Sequence, residues 1–150
     1  MKVLIGNKRV TLGEHSLEYY PYYFDIWKDG VDHRIIVKNV LSRWASALTD
    51  LVSSDLKAVY LPYYLDDQDC KYLKVEFSGE KIVLTDMLVA DSGYAMNLDE
   101  LSHEMYSEPK VIESWLGVDG VKYDSSPKFF GQYNAQDLIT ALRDAEISDA

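Results

Sequence analysis

A chain of 150 residues that is 47% hydrophobic is long enough for one domain, spanning residues 1–150, with a core of its own. Its formal net charge of −10 argues against direct binding to DNA, RNA or an anionic membrane, which all use Lys and Arg to neutralise phosphate. The lone cysteine, Cys70, excludes an intrachain disulfide and suits a reducing compartment.

The charge is unevenly spread. Residues 1–75 carry ten Lys/Arg against ten Asp/Glu, whereas residues 76–150 carry five against fifteen. An acidic half of this kind is either a solvated surface or a face built to meet a basic partner. The N-terminal Met1–Gly6 stretch is too short for a signal-peptide apolar region and reads as a first strand. Together with apolar runs far below the ~20 residues of a membrane span, this leads to the expectation of a cytoplasmic chain.

In chain order, Lys2–Ile5 and Arg9–Leu12 read as a hairpin closed by Gly6-Asn7-Lys8. Tyr22–Lys28 and Val31–Val37 read as a second hairpin around Asp29-Gly30. Leu41, Trp44, Ala45, Leu48, Leu51 and Val52 recur at helical spacing, which predicts an amphipathic helix capped by Asn39, with Arg43, Ser46, Thr49 and Asp50 on its solvent side. Ala58–Leu65 is a strand, and Pro62 makes it an edge or a bulged one. The turn Asp66-Asp67-Gln68-Asp69 leads into Lys71–Phe77, which alternates as a half-buried strand, and Ser78-Gly79-Glu80 turns into Lys81–Ala90. Such short connections require antiparallel pairing.

Asn97 caps a predicted short helix through Leu98, Leu101 and Met105, and a second helix is expected near Val111–Leu116. A loop covers Gly117–Pro127, Lys128–Tyr133 is a late strand, and Asn134 caps a helix over Ala135–Ile147, with Leu138, Ala141, Leu142 and Ala145 facing inward. The predicted fold class is α+β, an antiparallel sheet of hairpins with helices packed on one side.

The residues supply no catalytic pattern. His103-Glu104 opens like a zinc-protease motif, but Ser107 stands where the second histidine would be. His15, His33 and His103 have no ligand-type neighbour at metal spacing. Asp66, Asp67 and Asp69 could hold a hard cation, yet the glycine and distal glutamate of a calcium loop are missing. These same carboxylates would raise the Cys70 thiol pKa, which favours a structural role for it. No cofactor and no metal are expected, and the chain is read as a non-enzyme.

A short, cysteine-poor, acidic, tyrosine-rich α+β domain of this type resembles the immunity proteins of bacterial polymorphic-toxin and contact-dependent growth-inhibition systems. The resemblance is one of type and carries no family residue onto a position here. It implies tight binding of a cognate toxin domain with a basic surface, often a nuclease. The candidate partner-binding carboxylates are Asp66, Asp67, Asp69, Asp91, Asp99, Glu100 and Glu104, with Tyr64, Tyr94 and Tyr106 as aromatic anchors. Two alternatives stay open. One is a structural or adaptor protein of a phage or secretion system, with acidity serving solubility; the other is an enzyme whose Asp, Glu and His meet only on folding.

Overall fold

Two four-stranded sheets share one long helix. The computed structural model describes residues 1–19, 32–66, 69–78, 80–90, 98, 101, 104–107 and 128–149. The first sheet contains β1 (Lys2–Leu4), β2 (Arg9–Leu12), β3 (His15–Glu18) and the C-terminal β8 (Glu146–Ser148), in the order β3-β2-β1-β8. The second contains β4 (Ala58–Asp66), β5 (Asp69–Ser78), β6 (Lys81–Ala90) and β7 (Lys128–Asn134), in that order and antiparallel throughout. The helices are α1 (His33–Ser53), α2 (Glu104–Ser107) and α3 (Ala135–Arg143). The α+β class therefore holds, with helices on one side of the antiparallel second sheet.

α1 begins earlier than the sequence pattern suggests. Asp32, not Asn39, is the N-cap: its carboxylate accepts from the backbone N–H groups of Arg34 (3.0 Å) and Ile35 (3.4 Å). The strand expected over Val31–Val37 is therefore helical from His33 onward, and its proposed mate Tyr22–Lys28 lies outside the described residues. The β-branched run Ile35-Ile36-Val37 favours a strand locally. However, Ile36, Val37, Val40, Leu41 and Trp44 form one helical stripe, and burying that stripe outweighs propensity. Val52, expected on the same face, is 42% exposed in the last turn.

Trp44 joins this helix to the second sheet. Its ring is 2% exposed, and its indole N–H donates to the Pro62 carbonyl at 3.0 Å. Pro62 lies on the edge strand β4, where the register slips between Pro62 and Tyr64, as a residue without a backbone N–H requires. Val3 and Val10 of the first sheet, Val37, Val40 and Trp44 of α1, and Tyr63 of the second sheet meet around an apolar void of about 20 Å³. One continuous cluster of buried side chains thus spans both sheets, α1, α3 and the Leu98–Tyr106 segment.

The alternation expected for Lys71–Phe77 is only partly observed. Leu73 and Val75 are buried as expected, but Tyr72 on the opposite face is buried too, and Phe77 is exposed. The C-terminal helix is shorter than expected. Asn134 does cap α3, accepting from Asp137 N–H at 3.1 Å, but the helix ends at Arg143. Ile147 instead pairs with Val3 in β8, parallel to β1, so the first sheet is mixed rather than purely antiparallel. Arg34 fixes this strand, donating to the Ile147 carbonyl at 3.2 Å and pairing with Asp149.

A tyrosine ties β7 to the first sheet. The Tyr133 hydroxyl donates to the Leu12 carbonyl at 3.0 Å, and its ring lies so close to Gly131 that a Cβ there would meet it at 2.8 Å.

Two stability outcomes are expected. Trp44→Ala removes a buried indole and should cost about 3–5 kcal/mol, read as a lower urea midpoint. Tyr133→Phe should cost about 1 kcal/mol through the lost hydrogen bond. Gly131→Ala should cost a similar amount by displacing the same ring, and the double variant should cost less than the sum.

Candidate functional site

The acidic positions singled out in the sequence lie in separate stretches, and the second sheet pairs two of them, Asp66 and Asp69, at one end. The β4–β5 ladder closes with Asp66 opposite Asp69. β6 ends alongside it, with Ala90 paired to Asp69, and the next residue in the chain is Asp91. α2, which contains Glu104, packs against β4. Asp67, Asp91, Asp99, Glu100 and Tyr94 lie outside the described residues, as do His103 and Asn97.

The three tyrosine candidates differ in position. Tyr64 is half-buried near the hairpin tip, and the Lys71 ammonium sits 4.7 Å from its ring centre. Tyr106 is only 2% exposed, so it is a core residue and not a surface anchor. The helix expected through Leu98, Leu101 and Met105 is not continuous, since α2 covers only Glu104–Ser107; Leu98 and Leu101 lie before it and are buried with Tyr106 in the core.

Arg43 was missed by the sequence reading, which put it among solvent-facing residues. The side chain is half-buried and reaches across from α1. It donates from Nη2 to the Leu101 carbonyl, and its guanidinium carbon lies 4.8 Å from the Tyr106 ring centre. One signal was available. Between Lys81 and Lys110 there is no Lys or Arg against six Asp and Glu, so any cation beneath this stretch must come from elsewhere.

Under the same end, phenol groups lie in apolar surroundings. Burial raises the Tyr63 phenol well above its usual range, and accepting by the Asp86 carboxylate adds to the shift. Burial likewise raises Tyr72, with the neighbouring Cys70 thiol contributing. Cys70 itself is fully buried. Both phenols stay neutral at physiological pH, so they supply packing and hydrogen bonds rather than charge.

The described histidines are dispersed. His15 on β3 lies against Phe130 and Tyr133, with ring centroids 5.4 and 6.3 Å away. His33 sits in the first turn of α1, where desolvation lowers its pKa despite the opposing charge of Asp32. Among the described residues no group of three or more His, Cys, Asp and Glu is placed to hold a metal ion. A recess of about 670 Å³ between α1 and α3 is floored by Ala45, Leu142 and Ile147 and rimmed by Lys38, Asp50 and Arg143, with no histidine or cysteine in its wall. Among the described residues no helix is long and apolar enough to cross a membrane.

Comparison with known proteins leaves the chain by itself: no protein-family model, curated protein or solved structure matches it.

The raised phenol pKa values set an alkaline limit on stability. A tyrosine whose folded pKa lies above its unfolded value of about 10 contributes fully below that pH. Above it, the unfolded chain releases the proton while the native fold retains it, so stability falls as pH rises. Urea midpoints measured from about pH 9 to 11.5 should decline, and Tyr63→Phe should flatten the decline.

Proposed function

We propose that this chain is an immunity-type protein that acts in the bacterial cytoplasm by binding and neutralising a basic toxin domain, a nuclease being the class whose surface fits best. The observation that carries the reading is the pairing of Asp66 with Asp69 at the end of the β4–β5 ladder, beside the β6 terminus (Ala90 opposite Asp69) that leads in sequence to Asp91.

A nuclease must present Lys and Arg to phosphate, and carboxylates grouped at one sheet end would offer the same surface an opposite charge. Attraction of this kind acts mainly on encounter, lifting association from about 10⁵–10⁶ towards 10⁸–10⁹ M⁻¹s⁻¹ at low salt. Speed of capture matters for an inhibitor whose target is lethal. The half-buried Tyr64 at the tip supplies apolar contact area beside the charges.

Co-expression with candidate basic toxin domains in a sensitive host, followed by stopped-flow binding of the rescuing pair, tests the reading. Association should slow steeply with added salt, with dissociation much less affected. The paired reversals Asp66→Lys/Asp69→Lys and Asp99→Lys/Glu100→Lys should each lower the on-rate while shifting stability by no more than about 0.5 kcal/mol. Absence of rescue, or binding indifferent to salt and to both reversals, would leave the acidity as a solubility property and favour the adaptor reading.

A further inference from the structure

α2 packs against β4, and Arg43 of α1 reaches both Leu101 and Tyr106. A four-residue helix cannot sustain itself in water, because the nucleation cost of its first turn is not recovered over so short a length. Three buried side chains, Leu98, Leu101 and Tyr106, give it an apolar footing. Arg43 adds a polar contact from the helix side. Its planar fork donates to the Leu101 carbonyl while its face covers the Tyr106 ring.

The stretch from 82 to 109 contains no Lys or Arg against six Asp and Glu, so a cation at Leu101 and Tyr106 has to come from another element, and α1 supplies it.

We infer that Arg43 is a positioning residue: it clamps Leu101 and α2 against β4 and so presets this part of the acidic half for its partner. The consequence for binding rests on the immunity reading above, whereas the clamp itself does not. A partner that meets a prearranged surface does not wait for the segment to dock. When only a fraction of molecules is docked, apparent affinity falls by that fraction.

Hydrogen–deuterium exchange on the full chain tests the clamp. Arg43→Met keeps the aliphatic stem and removes the fork and the charge. Exchange at Leu101, Tyr106 and Ser107 should rise by about tenfold or more, as expected for loss of a charge-assisted hydrogen bond. Amides of β5 and β6 should keep their protection, and Arg43→Lys, which restores a cation over the ring, should recover part of the effect. Unchanged exchange in the segment would overturn the clamp. So would a rise of equal size in every element, which would make Arg43 a general core residue. If Arg43→Met does not fold, Arg43→Lys against the parent chain gives the same comparison with a smaller expected rise, and an unchanged segment there overturns the inference equally. The toxin domain identified by rescue in co-expression then provides the second arm. A slower on-rate in Arg43→Met supports presetting. A loosened segment with unchanged binding leaves the clamp standing and removes the acidic end from the interface.

Discussion

The fold depends on burying a single helix face that neither sheet can cover alone. The apolar stripe of α1 faces Val3 and Val10 on one side and Tyr63 on the other, and the Trp44 indole closes the junction by donating to the Pro62 carbonyl. A buried indole N–H without an acceptor would cost about 1–3 kcal/mol. The bulged edge strand supplies that acceptor at a residue that has no N–H to offer a neighbouring strand. One contact thus satisfies a donor, fixes the distance from α1 to β4 and sets where the second sheet ends. The closure of the first sheet by β8 follows from the same helix, since Arg34 on its first turn holds the Ile147 carbonyl.

From this anchor the reach of Arg43 follows. With α1 fixed on β4, Arg43, the residue before Trp44, is carried towards the segment that packs on the same strand. Local order and electrostatics then act together. Like charges at about 4 Å in water repel by roughly 1 kcal/mol per pair, a tolerable cost at a surface and a larger one where the dielectric falls. Placing cations beneath or beside the carboxylates reduces that cost without removing the outward negative field. Arg43 and Lys71 place their cations over the Tyr106 and Tyr64 rings. Deeper in the second sheet the Tyr63 and Tyr72 phenols stay protonated.

Much of the fold was legible because its signals are short-range. The β1–β2 hairpin, the edge character that Pro62 imposes on β4, the β5 and β6 strands, the late strand β7 and the Asn134 cap each follow from a few adjacent residues. The early helix start was not legible. Ile35-Ile36-Val37 after Asp29-Gly30 satisfies a hairpin pattern as well as a helical one, and only the stripe continuing through Val40, Leu41 and Trp44 separates the two. Ile147 misled for a related reason. Its spacing continues the helical period of Leu138 and Leu142, yet an open place beside β1 offered a full set of backbone hydrogen bonds. The candidate carboxylates could be named from composition, but Tyr106 could not be told from a surface aromatic, because burial depends on what the rest of the chain places over it.

The sequence by itself determined the α+β class, the antiparallel hairpins and the concentration of negative charge in the second half. These rest on periodicity, turn chemistry and composition, which act over a few residues. Only the tertiary structure decided that the first sheet would take a parallel C-terminal strand, that Tyr106 would turn inward, and that Arg43 would reach the Leu101 carbonyl. Those outcomes join residues 58 or more positions apart, and the free energy of such contacts comes from desolvation and geometry at a junction that no local stretch of sequence contains.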